Sequence, residues 1–370
     1  MTLNMAQKFR KIGVLTSGGD APGMNAAVRA ITRTANARGV QVMGIIGGYR
    51  GMIHDEMIEL TNREVSNKIQ LSGTFLYSDR CLEFKEEEGM QKAIATLKKH
   101  EIDGVITIGG DGTFRGATDL SVRGVPTIGV PGSIDNDITA SDYTIGFDTA
   151  MTTVIENVDR LRDTCESHAR LNVVEVMGRG AGDITLNTAI ASGAVAAVIP
   201  EAPFDEEACI NKIIRLRREG KRGFLIIVSE AFPTLGEELA KKITAVTKEL
   251  SEKEGNDRLW VESKFCRLAH TVRGGAPTLT DRLTATKMGA RAVEEILAGN
   301  TNQIVVERQG EITTCDIGWS QVLDRMYKGT LKPGMTDKYT AEQLAEMEKF
   351  IEEKKETFRR TYAMLNELAD

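Results

Sequence analysis

The chain has 370 residues, 41% hydrophobic and 27% charged, with 47 basic residues against 53 acidic ones and a net charge of -6. That length supports two domains with sizeable cores, and the interspersed charges exclude an evident basic face for nucleic acid or membrane. Five scattered cysteines (Cys81, Cys165, Cys209, Cys266, Cys315) show no zinc-type spacing, which argues against a disulfide framework and fits a reducing cytoplasm. The opening MTLNMAQKFRK has no apolar core of signal-peptide length. No run reaches the roughly 18 apolar residues of a bilayer span, so a cytoplasmic protein without membrane or nucleic-acid partners is expected.

In chain order, short apolar runs predict buried strands at 12–15, 40–46, 105–108, 127–130, 173–176, 195–199, 224–228 and 304–306. Amphipathic stretches at 24–37, 89–99, 149–164, 205–218 and 281–298 predict helices between them, and 237–254 and 341–368 read as peripheral helices. The alternation implies an α/β protein with mostly parallel sheets, whose ligands lie at the carboxyl ends of the strands. A domain boundary is expected near Phe147, with a second sheet beyond it.

Three loops at those strand ends carry the chemistry. In TSGGDAPGMN (16–25), glycines before a helix let peptide N–H groups face an anion, although a tight turn without a ligand has the same appearance. In GGDGTFRG (109–116), Asp111 is placed to hold magnesium that shares its shell with phosphate. Gly110, Gly112, Thr113 and Gly116 would let a phosphate chain lie against the backbone. Such loops also occur in kinases of NAD and of diacylglycerol, and neither loop has the Lys-Ser/Thr pair of a P-loop. In PGSIDND (131–137), Asp135 suits a base that takes an alcohol's proton and Asp137 a metal-side or orienting role. An Asx-rich turn is the plain alternative.

With these loops, the stretches GVLTSGGDAPGMNAAVRA, IGGDGT, PGSIDNDI, DYTIGFDTA, DRLRDT, VVEVMGRGAGD and RGGAPTLTDR resemble the 6-phosphofructokinase family in order and spacing, over roughly residues 11 to 330. The resemblance implies two Rossmann-like three-layer domains with the active site in the cleft between them. The expected ATP-binding domain is 1–146 plus about 272–322; the sugar-phosphate domain is 147–271 plus about 323–370. It implies a kinase that uses ATP and Mg2+ to phosphorylate fructose 6-phosphate at the 1-hydroxyl. Gly19 would offer a backbone amide to the moving phosphate, with Tyr49 and Arg80 on the donor side and Asp135 as the base. Ser133 stands where many members have threonine. Met177, Gly178 and Arg179 would contact the sugar phosphate and the transferring group, and Glu230, His270 and Arg273 the sugar. Arg170 and Lys264 match arginines that members supply from a neighbouring subunit, which implies a homotetramer. Lys264 lacks the planar fork of the usual arginine.

Members that use pyrophosphate commonly carry aspartate and lysine where this chain has Gly112 and Gly132, so the two glycines point to ATP. Pyrophosphate as donor, sedoheptulose 7-phosphate as acceptor, and a catalytically weak regulatory subunit are the competing readings. Cys81 replaces an aromatic beside Arg80. Arg29, Arg33, Arg162, Lys221 and Arg222 match a cluster that binds nucleoside diphosphate or phosphoenolpyruvate. Asn62, Val195 and Glu219 depart from that cluster, which predicts weakened or absent diphosphate activation.

Overall fold

Of residues 11–16, KIGVLT, five of six are buried, as expected of a strand covered on both faces. This strand, β1 (Lys11–Thr16), lies inside the first sheet of the computed structural model, which describes residues 9–369. It is followed by α1 (Met24–Asn36), β2 (Gln41–Ile45), α2 (Tyr49–His54), β3 (Met57–Glu59), α3 (Glu87–Lys99), β4 (Gly104–Gly109), α4 (Asp111–Ser121) and β5 (Thr127–Pro131). Next come α5 (Phe147–His168), β6 (Leu171–Val176), α6 (Asp183–Ala191), β7 (Ala196–Val198), α7 (Glu206–Arg218), β8 (Phe224–Ser229), α8 (Leu235–Glu254) and β9 (Ser263–Arg267). The chain ends with α9 (Leu279–Ala298), β10 (Gln303–Arg308), β11 (Glu311–Asp316), α10 (Ile317–Tyr327) and α11 (Ala341–Leu368).

Among the described residues the first sheet has the order β11-β10-β5-β4-β1-β2-β3, and the second β7-β8-β6-β9. The second is wholly parallel, and in the first only the edge strands β3 and β11 run antiparallel. The interior strands are the apolar runs expected from the sequence. β3, β9 and β11 are additional: β3 has only three residues, MIE, and the partly exposed β9 and β11 mix polar with apolar residues.

The chain divides into two compact units. The first ends at Thr149 and resumes over Arg273–Ile351; the second takes Ala150–Val272 and continues from Glu352. Residues 323–351, expected in the second unit, therefore belong to the first. Leu323, Met347 and Ile351 join Phe114, Ile138, Ile304 and Ile317 in its core. The Arg308 guanidinium lies 5.2 Å from the Trp319 ring centre and 4.8 Å from that of Phe350, which adds cation–π attraction to this packing.

One buried carboxylate organises the loop after β5. Asp281, in the first turn of α9, is fully buried. It accepts hydrogen bonds from the Tyr143 hydroxyl (2.5 Å), the Gly146 amide (2.6 Å), the Thr149 amide (2.9 Å) and the Thr149 hydroxyl. Burial pushes its pKa up and the donors pull it back. These bonds fix the end of the 132–146 loop and the start of α5. Asp281→Ala strands several buried donors at once, so a loss of about 3 kcal/mol is expected. The readout is the urea midpoint of unfolding; a midpoint equal to wild type contradicts it.

Candidate active site

In the first sheet β2 lies on one side of β1 and β4 on the other, so the order of strand connection reverses between the parallel neighbours β1 and β4, where parallel sheets open a ligand crevice. The two loops that leave these strands are stitched together. The Ser17 amide donates to the Ile108 carbonyl (3.0 Å), and the Thr113 hydroxyl donates to the Ser17 carbonyl (2.9 Å). A Cβ at Gly109 would occupy the place of that carbonyl and hydroxyl, so only glycine fits there. Gly110 caps α4 in an extended conformation, and a Cβ at Gly112 would meet nothing within 4 Å. The surface at Gly112 thus borders open space, while the Thr113 and Phe114 amides donate to the Gly110 carbonyl at 2.9 and 3.2 Å.

Asp111 opens α4 with a side chain 23% exposed and is paired with Arg115 one turn on. Among the described residues no three or more His, Cys, Asp or Glu side chains cluster as a metal cage. A single carboxylate beside open backbone suits magnesium, which usually takes one or two carboxylates and completes its shell with phosphate and water. Gly19 is exposed, and a Cβ there would lie 2.7 Å from the Arg273 guanidinium, which donates to the Asp20 carbonyl at 3.0 Å. Arg273 belongs to the first unit and braces the first glycine loop.

Tyr49, a donor-side residue by the family resemblance, packs against the second glycine loop. It is buried, its ring stacks on Phe84 at 4.2 Å and its hydroxyl donates to the Thr113 carbonyl at 2.6 Å. Burial and the Asp119 charge push the phenol's pKa far up. A Cβ at Gly116 would lie 2.5 Å from the Tyr49 ring, so this glycine makes room for an aromatic side chain. Cys81 packs on the same cluster, while Arg80 is exposed.

The third loop is tied to the second, since the Gly132 amide donates to the Gly109 carbonyl at 3.0 Å. The Ser133 hydroxyl accepts from the Asp135 amide (3.3 Å) and donates to Asp137 Oδ1 (3.4 Å). Asp135 is only 7% exposed.

In the second unit, Met177, Gly178 and Arg179 follow β6. Glu230, which follows β8, accepts from the amides of Gly178 (3.2 Å) and Arg179 (2.8 Å) through one carboxylate oxygen. Arg179 holds a φ of 57°, uncommon for a non-glycine residue, and its side chain is exposed. His270 is exposed on the turn after β9. Arg170 and Lys264 share Glu262, at 2.6 and 2.7 Å, and Lys264 first, then Arg170, hold that carboxyl below its usual range.

A family model described as Phosphofructokinase matches residues 11–296. The chain belongs to the phosphofructokinase family. It is 45% identical over 323 residues to ATP-dependent 6-phosphofructokinase 1 of Clostridium perfringens, covering 87% of this chain and 97% of that protein. It is 44% identical to the ATP-dependent 6-phosphofructokinase of Clostridium botulinum, strain Loch Maree, covering 86% and 96%. The crystal structure of Pichia pastoris phosphofructokinase in the T-state matches with a TM-score of 0.78 and 31% identity. That match covers 93% of this chain, which spans 39% of the Pichia chain.

The basic residues compared with the family's effector cluster are divided between the units. Arg29 and Arg33 lie on α1; Arg162, Lys221 and Arg222 lie in the second unit. Arg222 donates to the carbonyls of Glu166 (3.1 Å) and Ser167 (3.2 Å) at the end of α5. Val195 is part of the second unit's apolar core, and Glu219 pairs with Arg215 at 3.2 Å.

Sequence reasoning missed Lys328, just past α10. Its ammonium donates to the Asp137 carbonyl (2.9 Å) and to Asp324 Oδ2 (2.8 Å), with Asp137 Oδ2 at 3.4 Å. No motif contains it.

The two glycines of α4 make a contrast that can be measured. Gly116→Ala drives a methyl into the Tyr49 ring and is expected to cost about 2 kcal/mol. Gly112→Ala enters open space and is expected to cost less than about 0.5 kcal/mol. Urea unfolding of both variants checks this; equal losses contradict the packing role of Gly116.

Proposed function

We propose that the chain transfers the γ-phosphoryl group of ATP to the 1-hydroxyl of fructose 6-phosphate, a glycolytic step that yields fructose 1,6-bisphosphate and ADP. The observation that carries this reading is the 44–45% identity, over 96–97% of their length, to proteins named ATP-dependent 6-phosphofructokinase. The open backbone at Gly112, where a side chain would crowd the nucleotide's phosphates, supports ATP as donor.

Asp135 takes the proton of the attacking hydroxyl. Its neighbours Ser133 and Asp137 hold the loop's turn, so the carboxylate reaches the substrate in one conformation and less entropy is lost on the way to the transition state. The Gly19 amide, Arg80 and Arg179 stabilise charge on the moving phosphoryl group. Arg179 suits this task because a guanidinium grips planar oxygens through two bonds. Asp111 would hold Mg2+, whose chemistry is to offset charge on the donor's phosphates. Met177, Gly178, Glu230, His270 and Arg273 form the sugar side, with Glu230 also holding the Gly178–Arg179 backbone.

Arg170 and Lys264 serve a neighbouring subunit's sugar phosphate in a closed homotetramer. To do so they exchange Glu262 for phosphate oxygens. The five cysteines are free, which supports a cytoplasmic enzyme.

The test follows fructose 1,6-bisphosphate formation with magnesium and either ATP or pyrophosphate, with Asp135→Asn alongside. Turnover with ATP, at least about 100-fold slower in Asp135→Asn, is expected. Turnover mainly with pyrophosphate overturns the donor assignment, and an active Asp135→Asn overturns the base.

A further inference from the structure

Resting on the reading of the 133–137 loop as the proton-accepting loop, we infer that Lys328 is a positioning residue for phosphoryl transfer: it anchors the carboxylate end of that loop through Asp137. Lys328 lies beyond residues 11–296, the segment that the family model matches, and no role above is assigned to it.

The geometry forms one connected path. Lys328 Nζ bonds the Asp137 carbonyl at 2.9 Å and lies 3.4 Å from Asp137 Oδ2. Asp137 Oδ1 accepts from Ser133, and Ser133 accepts from the amide of Asp135. On the other side Lys328 bonds Asp324 Oδ2 at 2.8 Å, and Asp324 Oδ1 accepts from the Thr139 amide (3.2 Å) and hydroxyl (2.6 Å). The ammonium therefore clamps the loop from Asp137 to Thr139. Its carboxylate partners are nearly buried, with Asp137 11% and Asp324 10% exposed.

The charge matters as well as the donors. Asp111, Asp135 and Asp137 place three carboxylates on neighbouring loops, and a polyphosphate donor adds more negative charge. Arg115 pairs with Asp111. Lys328 plays the corresponding part for Asp137, and Asp111 also acts on it electrostatically. Although burial opposes the charged form, Asp137 and Asp324 outweigh it, and the ammonium's pKa is raised. Without the cation, Asp137 keeps the 3.4 Å Ser133 bond but loses its charged partner. The loop that carries Asp135 is then free to shift, and a displacement near 1 Å costs about 100-fold in rate.

The experiment compares Lys328→Met, Lys328→Gln and Lys328→Arg in the full-length chain, with kcat and KM for ATP and fructose 6-phosphate and the thermal midpoint of each variant. A positioning role predicts that Lys328→Met lowers kcat about 10- to 100-fold while both KM values stay within about threefold. Lys328→Gln stays low because it lacks the charge, and Lys328→Arg recovers most of kcat. If Lys328→Met does not fold, the contrast between Gln and Arg decides. A Met or Gln variant with near wild-type kcat overturns the inference, as does an Arg variant no better than Gln or a loss confined to KM. Asp135→Asn assayed in parallel separates the two claims. A wild-type chain without ATP-dependent turnover, or an active Asp135→Asn, removes the functional reading, whereas an inactive Asp135→Asn beside a fully active Lys328→Met removes only the role of Lys328.

Discussion

The close approach of the β1 and β4 loops is the constraint on which the candidate donor site depends. The Ser17 carbonyl and the Thr113 hydroxyl meet where Gly109 has no side chain, and the Ser17 amide closes the stitch on Ile108. The third loop joins through Gly132 and the Gly109 carbonyl. Parallel strands bring their carboxyl ends together, but bare backbone lets the loops after them come within hydrogen-bond distance. Around that stitch the head of α4 with the carboxylate of Asp111 and the turn carrying Asp135 are placed by main-chain bonds, with Tyr49 bracing α4 from the core.

Buried or shared carboxylates hold the rest in register. Asp281 fixes the junction between the third loop and α5, Asp324 and Lys328 fix the loop's middle, and Glu230 fixes the left-handed turn at Arg179. Each joins segments distant in sequence through charge-assisted bonds, roughly twice the strength of neutral ones. The Arg179 turn shows why support is needed: a non-glycine residue with positive φ persists only where its surroundings hold it there.

The parts legible in the sequence were those with a local signal. Fully buried strands such as β4 and β8 read as unbroken apolar runs, and the Gly-Gly-Asp-Gly and Ser-Ile-Asp-Asn-Asp loops stood out by composition at strand ends. Strands β9 and β11 escaped because partly exposed segments carry polar residues, and β3 because three residues are too few for a run. The apolar side chains of α11 predicted a helix that packs on something, but periodicity cannot name the surface; Met347 and Ile351 fill the first unit's core. Composition likewise cannot distinguish a glycine that makes room for a ligand from one, like Gly116, that makes room for a tyrosine. Lys328 was invisible because its partner Asp137 is 191 residues away.

The most direct measurement is calorimetric titration of a non-hydrolysable ATP analogue into wild type and Gly112→Asp, with urea unfolding of both. If the nucleotide's phosphates lie on the backbone between β1 and β4, the aspartate blocks and repels them. Affinity is then expected to fall at least about tenfold, or 1.4 kcal/mol, with stability nearly unchanged. Equal affinity in the two proteins would place the phosphates elsewhere and contradict the assignment of this crevice as the donor site.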